Sequence, residues 1–235
     1  MWYAYEMQGT FINTETYRAY NKAFYEAMIG GINIQSDFDE YRDTSYWETY
    51  MTNAFQFSAA KNAAEMKMLQ SYVFGKNGEK LPFEDFKTAV EPVLKEFNET
   101  WLRTEYDLAG RGAVLAENWR AMYKDKDLYP FWKYETRHDD RVRPEHAELN
   151  GRIFRLDDAS SQGLYPPISW NCRCTAKAVD DGTLATNDEI EKYKDNIAPG
   201  FEGNVGIDGI FPKTKSSYFE VLKNANEAKP QMFDL

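Results

Sequence analysis

The chain has 235 residues, 43% hydrophobic and 16% aromatic, which excludes a fully disordered polymer and leaves room for one mixed-class domain or two smaller ones. Its net charge of −10, from 38 acidic against 28 basic residues, repels nucleic acid and anionic lipid, so strong nucleic-acid binding is not expected. No apolar run approaches the roughly 20 residues of a membrane span, and the opening MWYAYEMQGTF lacks the basic start and apolar stretch of a secretion signal, which points to a protein kept in the cytoplasm.

In chain order, apolar groups at Tyr3, Met7 and Phe11, then at Tyr17, Tyr20, Phe24 and Met28, recur at helical spacing. They predict two helical segments, the second capped by Asn13 or Thr14 and ended by Gly30-Gly31. DFDEYRDTS reads as a loop. Thr44 or Ser45 then caps a helix through Trp47, Tyr50, Met51 and Phe55, and FSAAKNAAEMKMLQSY at 57–72 consists of good helix formers. GKNGEK at 75–80 is a turn. Pro82 opens a helix or helix pair from about 83 to 124 with an aromatic stripe, which Pro92 should kink or interrupt. Beyond Pro130, FWKYET, RIFRL and TAKAV alternate like short strands, and Asn187 to Tyr193 reads as a short helix. From 195 onward the Gly, Asp, Asn, Lys and Pro content predicts an extended, weakly ordered tail, anchored by Phe201, Phe211, Tyr218 and Phe219. The expected fold class is α+β: a mainly helical region over 1–125, a small loop-rich β-containing module over 126–180, and a short helix with an extended tail over 181–235.

Both histidines and both cysteines fall between His138 and Cys174. Cys172 and Cys174 flank Arg173, His146 lies upstream across a chain reversal, and Asp139, Asp140 or His138 can supply a fourth ligand. This donor set suits a structural zinc ion. A disulfide between cysteines one residue apart would be strained, so a reduced pair is expected. Without metal, His146 hydrogen-bonds within a loop and the cysteines act as small buried hydrophobes. A thiolate nucleophile beside Arg173 lacks an oxyanion-stabilising loop. A nuclease-like or other hydrolytic module would use His146, Asp139 and Arg141, with His138 at hand; against it stands a salt-bridged turn of Asp139, Asp140, Arg141, Arg143 and Glu145. Around them, Pro166-Pro167 fixes an extended approach, Trp170 can cover the site, and Gly151 permits a positive φ after Asn150.

The string Asp139-Asp140-Arg141-Val142-Arg143-Pro144-Glu145-His146 is followed by Leu149 and Gly151, the acidic turn Asp157-Asp158, Pro166-Pro167, and Trp170-Asn171-Cys172-Arg173-Cys174. That succession resembles the signature of phage Mu F-like minor head proteins, also called phage head morphogenesis proteins. FQFSAAKN (55–62), GKNGEKLPFEDF (75–86), FNETWLRTEYDLA (97–109) and FEGNVGIDGIFP with SSYF extend the resemblance over about residues 50–220. It implies no catalytic activity. It implies a minor capsid component acting with portal and capsid or scaffold proteins at the portal vertex, assembled in the host bacterial cytoplasm and carried in the virion. Asp139, Arg141, Gly151, Pro166, Pro167, Trp170, Asn171 and Arg173 would be structural parts of the motif. Some relatives carry Cys-x-x-Cys where this chain has Arg143 and His146. Arg143 cannot ligate, so a zinc here would rest on His146, Cys172, Cys174 and a nearby acid such as Asp139, or water.

Overall fold

The computed structural model describes residues 3–4, 6–7, 10–33, 44–75, 77–212, 218 and 231–232. The predicted leading helix is instead strand: β1 (Tyr3–Ala4), β2 (Glu6–Met7) and β3 (Thr10–Phe11), with β2 and β3 paired antiparallel. The segment is too short to repay helix nucleation, and its aromatic residues and Thr10 suit a pleated strand. Helix α1 (Thr14–Asn33) follows, capped by Asn13, whose side-chain oxygen accepts from the Thr16 amide at 3.0 Å.

Gly30-Gly31 does not end α1, which runs through both to Asn33. α1 packs on α4 (Leu102–Lys124), and at Gly31 the two backbones touch: a Cβ there would collide with the Gly110 carbonyl. Gly30 faces open space on the exposed side. Adjacent glycines should therefore respond with opposite signs. Gly30→Ala is expected to stabilise by ~0.5–1 kcal/mol through helix propensity, whereas Gly31→Ala should destabilise by ~1–3 kcal/mol because the helices must separate. Denaturant titration of the two variants checks this, and equal effects would refute the close approach as the reason for Gly31.

Between α1 and α4 lie the unbroken helix α2 (Thr44–Ser71), a turn closed by a bridge between Phe74 and Lys80, and α3 (Phe83–Lys95). Pro92 sits inside α3, and the interruption comes later, as a π-helical turn at Glu96–Trp101. In that turn the Phe97 carbonyl accepts from Lys61 Nζ at 2.8 Å. Lys61 is fully buried, 2.9 Å from the Glu105 carboxylate, which also accepts from the Tyr218 hydroxyl at 2.8 Å. The Tyr20 and Tyr218 rings lie 4.9 and 5.4 Å from the ammonium. Burial lowers the Lys61 pKa against the pull of Glu105, and pushes Glu105 up to about 7 against the opposing pull of Lys61 and Tyr218.

The predicted strands form one antiparallel sheet, with β4 (Phe131–Glu135) between β5 (Ile153–Arg155) and β6 (Thr175–Val179). Alternation turns Trp132 and Tyr134 inward. Trp132 stacks on Phe154 at 4.6 Å and meets Trp119 of α4 edge-on at 6.5 Å. Helices and sheet thus share one hydrophobic core, and the fold is α+β. The remaining elements are α5 (Pro144–Ala147), α6 (Asn187–Lys194), started by a reciprocal Thr186–Glu189 cap, α7 (Val205–Asp208), and β7 (Gln231–Met232), which pairs with β1.

The predicted weakly ordered tail is corrected over 195–212. Phe201, Val205, Ile210 and Phe211 are buried, and Phe211 stacks on Phe57 of α2 at 4.4 Å. Asn53 holds the Phe211 backbone from both sides, accepting from its amide at 2.7 Å and donating to its carbonyl at 3.0 Å. The Gly-, Asn- and Pro-rich composition permits these turns, and the partners that order them lie far away in sequence. Phe201, Phe211 and Tyr218 are buried anchors as expected, while Phe219 and the predicted loop over 37–43 fall outside the described residues. Among the described residues no helix is long and apolar enough to cross a membrane.

Candidate metal centre

Pro144 supplies a preset first-turn φ for α5, which buries His146. The loop after α5 is fastened to β4: the Gly151 amide donates to the Tyr134 carbonyl at 2.8 Å, and Asn150 Oδ1 accepts from the Thr136 amide at 3.0 Å. Gly151 takes φ +78°, a conformation that favours glycine. On the other side, the chain passes the cis Pro166-Pro167 bond and reaches Asn171, which adopts a left-handed φ of +57° directly before Cys172. From α4, Arg111 donates to the Cys172 carbonyl at 3.3 Å and Asn118 to the Ala176 carbonyl at 2.8 Å.

These supports bring His146, Cys172 and Cys174 together, with one ligand atom from each lying within 4.8 Å of the others. His146 Nδ1 is 3.3 Å from Cys174 Sγ and 3.7 Å from Cys172 Sγ, while Nε2 is 3.0 Å from Ser169 Oγ. All three residues are buried, beside a cavity of about 20 Å³ lined by Arg137, Arg141, Arg143, Asn171 and Arg173. Cys174, by hydrogen bonding, and His146 hold the Cys172 thiol well below its ordinary pKa, and Cys172 with burial pushes Cys174 up. An imidazole and two thiols at this separation fit a zinc ion chemically.

Tyr134 was missed by the sequence reading. It is fully buried, and among the described atoms its hydroxyl has no hydrogen-bond partner. Burial raises its pKa, and the adjacent Cys172 and Cys174 add to the shift. The available signal was the alternation of FWKYE, which sends Trp132 and Tyr134 to the same face.

Asp139 does not join the group. Arg173 holds its carboxylate in a two-pronged pair, Nη1–Oδ2 2.7 Å and Nη2–Oδ1 2.6 Å, geometry that commits both oxygens. Hydrogen bonding from Arg173 keeps its pKa down to about 2. The Arg141 amide also donates to Asp139, at 3.1 Å. Neither His138 nor Asp140 belongs to the cluster, and both are exposed. Arg143 donates to the Ser169 hydroxyl and to the Trp170 carbonyl at 3.1 Å, and its Nε lies 3.6 Å from Glu145. The Trp170 ring packs on Phe57 and Phe201, at 6.1 and 5.2 Å, and so joins the module to α2. The hydrolytic trio of His146, Asp139 and Arg141 shares no common partner, since His146 turns to the thiols and Ser169 while Asp139 turns to Arg173.

The residues so fastened to one another are those of the sequence signature, and the profile of "Phage Mu protein F like protein" matches residues 21–177. The chain belongs to this family. The match runs from α1 into β6 and so includes every residue of the His-Cys-Cys cluster. Family relatives include the "Putative capsid assembly protein F" of Escherichia phage Mu, 44% identical over 122 residues, which cover 51% of this chain and 28% of that protein. The "Mu-like prophage FluMu F protein" of Haemophilus influenzae is 33% identical over 109 residues, 46% of this chain and 25% of that one. The chain thus spans about a quarter of the length of these relatives. A shorter likeness, 44% over 55 residues, covers 22% of this chain and 9% of an uncharacterized protein of Methanocaldococcus jannaschii. No solved structure gives a significant match.

Proposed function

We propose that this chain is a non-enzymatic phage head protein, acting in head morphogenesis as a minor capsid component at the portal vertex. The observation that carries this reading is where the signature side chains are spent. Asp139 goes to Arg173, Arg143 to Ser169 and the Trp170 carbonyl, and His146 to the two cysteines. Each fastens loops of the module to one another, which is the chemistry of a rigid scaffold. The family relation to a phage Mu protein named for capsid assembly supplies the setting. Exposed apolar side chains at Phe74, Phe83 and Leu128 suit contact with other proteins, and the net charge of −10 disfavours nucleic acid. Portal and capsid or scaffold proteins are the partners under this reading, with assembly in the host bacterial cytoplasm and delivery into the virion.

A structural zinc belongs to the same proposal. His146, Cys172 and Cys174 would hold it, and when bound the ion would replace weak thiol contacts by strong bonds tying α5 to the start of β6. Co-expression with the portal subunit of the same phage tests the larger claim. A stable complex on size exclusion is expected. Separate elution of the two proteins at micromolar concentration would overturn the portal assignment.

A further inference from the structure

The β4–β6 register places Tyr134 opposite Ala176. Side chains two residues apart on a strand share a face, so Cys174, directly before β6, lies diagonal to Tyr134 on the buried side. There the Tyr134 hydroxyl is fully buried beside the two cysteines, with no hydrogen bond of good geometry. Trp132 shares its face of β4, Ala176 lies opposite, and the polar groups beside it are the Cys172 and Cys174 sulfurs. A phenylalanine would fill the same volume without stranding a donor, so packing does not account for the oxygen.

We propose that Tyr134 is a positioning residue of the metal centre, its phenol O–H donating to the Cys174 sulfur when a zinc ion is held by His146, Cys172 and Cys174. A metal-bound cysteine is a thiolate, and a thiolate accepts a hydrogen bond strongly. The hydroxyl already lies beside the two sulfurs, and a bound ion would give it a strong acceptor there. Hydrogen bonds of this kind fix a ligand's orientation and tune its donor strength. His146 is held in the same manner from its other face, by Ser169 on Nε2.

This inference rests on the metal reading above, and the test separates the two. The full chain and Tyr134→Phe are titrated with Zn²⁺ in competition with a chromophoric chelator, and with Co²⁺ while the sulfur-to-cobalt charge-transfer band is recorded. Tyr134→Phe is expected to bind zinc about 10–100-fold more weakly, with its far-ultraviolet dichroism and metal-free melting temperature undiminished. Its charge-transfer band should move to lower energy, because a sulfur without a hydrogen bond gives up charge more readily. The band position in the folded, loaded fraction does not depend on how well the variant folds. Unchanged affinity and band in Tyr134→Phe, with metal bound by the parent chain, would overturn the role of Tyr134 alone. A parent chain that binds neither ion would overturn the metal reading and this inference with it.

Discussion

Lys61→Met is expected to lower the stability of the fold by ~3–5 kcal/mol, because it leaves the buried Glu105 carboxylate without its counter-charge. The Phe97 carbonyl of the π-helical turn loses its donor as well. For a chain of this size the fall in Tm is on the order of 10 °C. Substituting both partners, as Lys61→Met with Glu105→Leu, should recover much of the loss, since an apolar pair of similar volume makes no demand for compensation. A double variant as unstable as the sum of the singles would show that the two groups are not coupled. The pH dependence has a definite sign. Glu105 titrates at about 7 in the folded chain and at its ordinary 4.5 when unfolded. Between those values the folded chain keeps a proton that the unfolded chain has given up. The carboxyl's contribution is therefore fully present below about 4.5 and declines as pH rises toward 7. Glu105→Gln should flatten that decline.

Zinc at a free concentration a thousandfold above its Kd is expected to stabilise the protein by ~4 kcal/mol, and chelation should remove that increment. The effect is large because the three donors come from segments distant in sequence, α5 and the approach to β6, which the ion would lock together. Cys174→Ser should lose the zinc-dependent rise in Tm while keeping a folded metal-free state, since the core around Trp132, Phe57 and Trp119 does not depend on the ion. Elemental analysis should find one zinc per chain before chelation. A purified protein without metal, whose melting curve does not respond to added zinc, would sink the proposal. Asp139→Asn should leave zinc content unaltered, because Arg173 and not the centre claims that carboxylate.

Residues close in sequence were read well. Apolar spacing and helix-forming composition gave α1, α2, α3 and α4, alternation gave the three strands of the sheet, and the crowding of His146, Cys172 and Cys174 singled out the centre. Tyr134 was not legible, because a tyrosine in a strand carries no mark that its oxygen is stranded until the facing strand is known. The same applies to Asp139, which as a sequence offers a ligand and in the fold is occupied by Arg173.

Local propensity and motif spacing, which depend on a few neighbouring residues, determined by themselves the α+β class, the family resemblance and the three donors that meet at the centre. Tertiary structure decided everything that required a distant partner. It made Gly31 a point of helix contact instead of a stop, brought Lys61 to a carbonyl of the π turn, and ordered the segment around the expected anchor Phe211 by stacking it on Phe57 and pairing its backbone with Asn53. In each case the free energy comes from groups far apart in the chain that become neighbours only when the core forms.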